Sequence, residues 1–375
     1  MEQLQYYVYI GIIGIILTFL GYIITRVSLK DINCKRFDDI KISGGVSNII
    51  SDVSLEVDLK KSDGTTFQYN YRLKDYFIKT AYNACCSGKI KNDYVDLCAL
   101  ENVKKYGVRA LDFQLFSLNG NPIVASSTMN HNLYKESYNH LHLSDVMHKT
   151  NSLFIEEPVN EYPLFLFFRI HYGDKEKSNE SYITAFYDKV YKQIYDHFPS
   201  SSGFSFNSEM EFEGMKYDEV DNVMRLETIS NMTLQNIKKR IFIFVSLNDV
   251  NYDPFNKSKL STITDNVVVS ESSGVGMKYY KLNELQHEMT SSIVDENKRY
   301  LSICYPMNDV YSLNKNAAIP MAKGIQFVAM NYQNDDPNLK KYNNYFKTNS
   351  NKNAPVTLKP NNLISIGSYG AQYGF

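Results

Sequence analysis

From Tyr6 to Thr25 the chain runs YYVYIGIIGIILTFLGYIIT without a charge, and after Arg26 no segment repeats that pattern. Twenty helical residues at about 1.5 Å rise reach ~30 Å, the thickness of a bilayer's hydrocarbon core. The pattern predicts a transmembrane anchor over residues 1–26. A cleaved secretory signal is the competing reading. Such signals open with basic residues and carry a shorter apolar run, whereas this chain starts Met-Glu-Gln-Leu-Gln. Residues 27–69 are polar and broken by Ser43-Gly44-Gly45 and Ser62-Asp63-Gly64. They read as a stalk, with short strands over 46–58.

Beyond residue 70, strand and helix patterns alternate. Tyr76–Ala84 is apolar and extended. Val95, Leu97, Cys98, Leu100 and Val103 recur at helical spacing and stop before Gly107, a usual helix end. Val108–Phe116 alternates as a strand, and Asn119-Gly120 signals a hairpin turn. Pro163–Ile170 and the run RIFIFVSL from Arg240 are near-continuously apolar, as expected of parallel strands covered on both faces. Residues 181–198 read as a helix. Residues 250–282 are rich in Ser, Thr, Asn, Asp and Gly and read as a loop excluded from the core. Strand patterns resume at Leu301–Tyr305, Ile325–Asn331 and Val356–Leu358. Strands alternating with helices predict a parallel α/β sheet or barrel. About seven strands are legible, so closure into eight does not follow from pattern alone.

The formal net charge is −1, which gives no broad basic field for nucleic acid. Arg26, Lys30, Lys35 and Arg36 flank the C-terminal end of the apolar run, and no Lys or Arg precedes it. That asymmetry predicts a single-pass protein with its body on the cytosolic side. The five cysteines, Cys34, Cys85, Cys86, Cys98 and Cys304, form no metal-type C-x-x-C pair, and are expected to be reduced and structural.

Two sets of motifs stand out, Gly107–Phe116 with its hairpin to Val124, and Ser302–Pro306, Gly324–Gln333 and Leu358–Pro360 in that order; they are similar to the halves of eukaryotic-type phosphoinositide phospholipase C. Gly107-Val-Arg-Ala-Leu-Asp-Phe-Gln-Leu-Phe116, with Asn119-Gly-Asn-Pro-Ile-Val124 after it, resembles the strand and hairpin of the X box. Ser302-Ile-Cys-Tyr-Pro306, Gly324-Ile-Gln-Phe-Val-Ala-Met-Asn-Tyr-Gln333 and Leu358-Lys-Pro360 resemble the Y box in order and spacing. The resemblance covers about 70–363. It implies a distorted TIM barrel with its site at the C-terminal strand ends, with an X-like half over 70–249, a linker and connecting helix over 250–297, and a Y-like half and tail over 298–375. It also implies a reaction in which one His takes the inositol 2-hydroxyl proton and a second His protonates the leaving group, while calcium stabilises charge.

The residues that would carry this chemistry are largely replaced. Tyr82 stands at the position of the first His, and Thr128 at the second. The metal-binding Asn persists as Asn83, beside Asp112 and Gln114 at the paired acids. Arg169 stands where the next acid belongs. Tyr and Thr are poor acid–base groups near neutral pH, and a guanidinium repels a cation. The expected arrangement is a vestigial pocket of Asn83, Arg109, Asp112, Gln114 and Arg169. In it Arg169 pairs with Asp112 and stands in for the metal, and no metal or cofactor binds. His131 and His171 are the histidines a shifted loop would need to rescue catalysis; solvated side chains are their plainer reading.

The function this implies is a membrane-anchored, phospholipase C-like pseudoenzyme serving as a structural or interaction module. The alternatives are an active phosphodiesterase with rebuilt catalytic residues and a phosphoinositide headgroup-binding module. The expected partners are the bilayer, through Tyr6–Thr25, and other proteins. By analogy with divergent barrels encoded by large DNA viruses, those are capsid proteins and the location is a virion membrane.

Overall fold

A computed structural model describes residues 2–365 except 41, 43–44, 61–63, 129–133, 157–159, 173–178, 199–202, 213–218, 248–252, 271–274, 286–290, 307–309, 312 and 350–352. The strands are β1 (Glu56–Lys60), β2 (Thr66–Asn70), β3 (Tyr76–Ala81), β4 (Ala110–Leu118), β5 (Asn121–Ala125), β6 (Leu141–His142), β7 (Leu164–His171), β8 (Ser205–Phe206), β9 (Arg240–Ser246), β10 (Asn266–Ser270), β11 (Met277–Lys281), β12 (Ser302–Tyr305), β13 (Phe327–Met330) and β14 (Val356–Leu358). The longer helices are α1 (Glu2–Asp38), α2 (Cys98–Lys105), α3 (Leu143–Phe154), α4 (Glu180–Tyr195), α5 (Glu219–Asn231) and α6 (Pro337–Asn349).

Eight parallel strands close a ring in the order β3, β4, β7, β9, β10, β11, β12, β13 and back to β3. Helices surround it, so the molecule is an α/β barrel of TIM type. The apolar runs predicted as parallel strands are buried on both faces. Inside the ring, Phe167 stacks on Phe244 at 4.8 Å and Phe165 on Phe242 at 5.0 Å. Phe327 meets Phe165 and Phe167 edge-on. The interior is thus a packed aromatic core.

Local signals hold where backbone chemistry demands them. Gly107 ends α2 at φ +72°, with its N–H on Lys104 O. Asn119 and Gly120 both take positive φ in the β4–β5 hairpin. The helix expected from Val95 starts later, because Asp96 Oδ1 accepts from Cys98 N and fixes the first turn there.

Three expectations are corrected. Residues 250–282 are not excluded from the barrel: they supply β10 and β11. The polar residues that read as loop serve backbone groups. Asn266 Oδ1 accepts from Met277 N, and its Nδ2 donates to Asn222 O. The stretch 27–69 is not simply a stalk, since α1 continues to Asp38 and its last third docks on the barrel, while β1 and β2 form an antiparallel hairpin. The cysteines are not all reduced: Cys34 and Cys98 form a disulfide across 64 residues, leaving Cys85, Cys86 and Cys304 free and buried. Strand β14, read from the same apolar pattern as its neighbours, pairs antiparallel with β3 outside the ring.

Candidate functional site at the barrel mouth

Tyr82 and Asn83 just after β3, Asp112 of β4, Arg169 of β7 and Tyr305 at the end of β12 come together at the barrel mouth. Arg169 is the hub. Its Nε donates to Asp112 Oδ1 at 2.8 Å, and its Nη2 donates to Asp112 Oδ2 and Asn83 Oδ1, both at 2.7 Å. Its Nη1 reaches the Tyr82 hydroxyl at 3.3 Å. The guanidinium lies 4.5 Å from the Tyr82 ring centre and 5.1 Å from that of Tyr305. Such a two-pronged Arg–carboxylate pair is the strongest kind of charge-assisted contact.

The backbone prepares this contact. Asn83 takes a left-handed φ of +43°, which Asn tolerates better than most residues, and this points its N–H at Asp112 Oδ2, 3.0 Å away. Period-two alternation puts Asp112 and Gln114 on one face of β4. In the β4–β7 register Gln114 lies beside Arg169 and Asp112 beside Phe167, so Arg169 reaches Asp112 diagonally.

Burial alone would lower the Arg169 pKa, but the Asp112 carboxylate outweighs it and raises the value. Burial raises the pKa of the Tyr82 and Tyr305 hydroxyls, so neither serves as a base near neutral pH. Two buried polar atoms here lack a hydrogen-bond partner among the described residues: Asn83 Nδ2 and the Tyr305 hydroxyl.

The other expected residues divide. Gln114 sits just below the rim, its Oε1 accepting from Ser127 N at 2.8 Å. Thr128 donates through both its N–H (2.7 Å) and its hydroxyl to Glu136 Oε2. Burial opposes ionisation of Glu136, but hydrogen bonds from Lys91 and Thr128 hold its pKa down at about 2. Arg109 does not belong to this pocket. It precedes β4 and lies at the opposite, floor end of the barrel, where it donates to the carbonyls of Phe154, Tyr162 and Pro163. Its place in the motif is explained by that structural clamp. His171 is buried and stacked on Phe116 at 5.1 Å, away from the solvent it was expected to face. His131 lies outside the described residues. Sequence reading did not single out Tyr305 or Glu136. Tyr305 sat in a quoted motif, Cys304-Tyr305-Pro306, and that was the available signal.

Calcium takes about six to eight oxygen ligands at ~2.3–2.6 Å. Here Asn83 Oδ1 and both Asp112 oxygens already accept N–H groups, and the guanidinium occupies the space between them. This donor set does not fit a divalent cation. Among the described residues, the one group of three His, Cys, Asp or Glu side chains close enough to share an ion is Cys34, Asp96 and Cys98. It lies at the α1–α2 contact, and its cysteines are joined to each other.

Comparison with known proteins fits this geometry. Residues 243–362 match the family model of the phosphatidylinositol-specific phospholipase C Y domain, so the Y-like segment begins well before residue 298. No curated protein matches the chain. The crystal structure of L. pealei PLC21 is similar over 77% of this chain, with 18% identity and a TM-score of 0.57. That of S. officinalis PLC21 is similar over 77%, with 16% identity and a TM-score of 0.58. The match spans 37% of the length of each of those proteins. The match to the Y domain thus covers residues 243–362, and the barrel as a whole has the fold of those two structures.

Proposed function

We propose that this barrel is a catalytically silent, membrane-tethered module that acts through protein contacts rather than by calcium-dependent phosphodiester cleavage. The observation that supports this reading is the guanidinium of Arg169 bound to both Asp112 oxygens and to Asn83, where the resemblance calls for a metal. The replacement of both catalytic histidines by Tyr82 and Thr128 acts in the same direction, since the hydroxyl of Thr128 is already committed to Glu136. The test is hydrolysis of phosphatidylinositol vesicles with calcium added. Turnover no higher than a boiled control is expected; turnover lost on Asp112→Asn would overturn the reading.

A second reading, headgroup binding, has one observation in its favour. Asn83 Nδ2 and the Tyr305 hydroxyl are unpartnered donors beside a cation, a set suited to a phosphate oxygen. Calorimetry with inositol phosphate tests it, and binding abolished by Tyr305→Phe would establish it.

We place the protein as a single-pass membrane protein, because α1 is long and apolar enough to cross a bilayer. The body lies on the oxidising side in this proposal, against the charge rule. The flanking cations that gave the rule its weight have structural partners: Lys30 pairs with Asp96, Arg36 donates to Ser87 O and Gln333 O, and Arg26 stacks on Tyr138. A disulfide persists where thiols are not kept reduced. Protease protection in intact vesicles tests the orientation. Protein partners, with capsid proteins of a virion among the candidates, complete the proposal.

A further inference from the structure

The docked part of α1 has a direction. Helix α2 follows the mouth loop after β3 and precedes β4, so it descends from mouth to floor. Helix α1 packs alongside it in the same direction, since Lys30, Cys34 and Phe37 meet Asp96, Cys98 and Lys105 in turn. At the lower end of the contact, Lys105 Nζ donates to Phe37 O at 2.9 Å, while Arg36 donates to Ser87 O and Gln333 O in the loops that follow β3 and β13. Above this contact comes the Cys34–Cys98 disulfide. Higher still, Lys30 pairs with Asp96 at 3.1 Å and Asn33 Nδ2 donates to Asp93 Oδ1 at 2.8 Å. At the rim, the Arg26 guanidinium sits 3.7 Å over the Tyr138 ring. Read from Asp38 back to Arg26, the helix passes the loops after β13 and β3 and leaves the barrel on the mouth side. Above Arg26 the helix has no wall to lean on, and the large apolar side chains from Tyr6 to Ile24 are 40–72% exposed.

We propose that this clamp of disulfide and polar contacts fixes the membrane helix to the barrel, so that the barrel mouth lies against the bilayer surface. Arg26 is the first charge after the apolar run, which sets it at the bilayer–water boundary, where Arg and Tyr concentrate. The contact with Tyr138 therefore brings the rim to headgroup depth. Cys34 lies eight residues further on, so the clamp is ~12 Å below that boundary. The rim offers side chains with apolar bodies and polar tips. Tyr134, Tyr311 and Leu313 are exposed, and Lys89 Nζ lies 5.2 Å over the Tyr311 ring. Such groups suit a lipid surface with its phosphates. The floor is covered differently: α5 crosses it, with Arg225 donating to Thr264 O and Asn222 accepting from Asn266 Nδ2. Val220, at the start of α5, is exposed there. This orientation does not depend on whether the mouth is catalytic.

The chain contains no Trp, so one introduced indole reports alone. The full chain carrying Tyr134→Trp or Val220→Trp is placed in phosphatidylcholine vesicles whose acyl chains are brominated near the headgroup. Tyr134→Trp is expected to lose emission relative to unbrominated vesicles, while Val220→Trp is not. Leu313→Trp, on the other side of the rim, should behave like Tyr134→Trp. Adding Cys34→Ser and Cys98→Ser to the Tyr134→Trp chain should weaken its quenching. Equal quenching at rim and floor overturns the proposal. So does a rim indole whose emission changes with protein concentration and not with bromination, which would mean that a second copy covers this face. Quenching unaffected by the two serines removes the disulfide from the clamp.

Discussion

Arg169 converts a site for a cation into a site that contains one. Asp112 is fully buried and both its oxygens are committed to the guanidinium. Removing one partner of such a pair leaves an uncompensated charge, at a cost of about 3–5 kcal/mol. Arg169→Glu should therefore lower the thermal unfolding midpoint in calcium-free buffer. It also returns an acid beside Asn83 and Asp112, so added calcium should raise the midpoint of this variant and leave the natural chain unchanged. A variant that shifts neither midpoint would exclude Arg169 from the stability of the mouth. Among the interior cations are two lysines that hydrogen-bond to carbonyl oxygens. Lys79 and Lys359 are buried, and burial lowers the pKa of each to about 7. In the unfolded chain both keep their protons up to ~10.4. Above pH 7 the unfolded state thus binds more protons, and stability should rise with pH, by up to ~1.4 kcal/mol per unit for each lysine. Denaturant midpoints in detergent at pH 7 and about 8 measure this, before unfolded thiols and tyrosines ionise and oppose it. Lys79→Met and Lys359→Met together should flatten the profile; a natural chain that loses stability over this interval would contradict the assignment.

At the scale of elements, the legible ones were those whose sequence pattern and burial coincide. Strands β4, β7 and β9 are apolar on both faces because helices and aromatic core cover both, and period-two alternation is enough to put Asp112 and Arg169 on strand faces that can meet. Strands β10 and β11 were illegible for the opposite reason. Their ends are held by Asn266 and Asn222, whose hydrogen bonds reach partners 11 to 53 residues away. Likewise, the motif around Arg109 carried no sign that its guanidinium serves carbonyls on the floor, because those carbonyls belong to the end of α3 and to the two residues before β7. Gly276 gives a test of the β10–β11 join. A Cβ there would collide with Val267 O and come within 2.9 Å of Asn222 Nδ2. Backbone cannot rotate away, so Gly276→Ala should cost about 1–3 kcal/mol, read as a lower unfolding midpoint. A loop excluded from the barrel would accept the methyl group without change.

At the scale of the whole molecule, α1 is one helix with two different environments, and a cut can separate them. Its first part is exposed and apolar and ends at Thr25. Its last part buries Phe37 and Asn33 and holds Cys34 in the disulfide. A chain starting at residue 26 keeps every docking contact and loses only the apolar rod. It should remain in the supernatant after centrifugation with vesicles at high salt, and unfold close to the full-length midpoint. A chain starting at residue 39 also loses the disulfide, a cross-link of a kind typically worth about 2–4 kcal/mol, and the burial of Phe37, worth about 1.5–3 kcal/mol. It should unfold at clearly lower temperature. If the two truncated chains unfold alike, the docked third of α1 adds nothing and 27–38 is a stalk after all. If the longer one still pellets with vesicles, where salt screens the rim lysines, the rim grips the bilayer by apolar insertion without help from the helix.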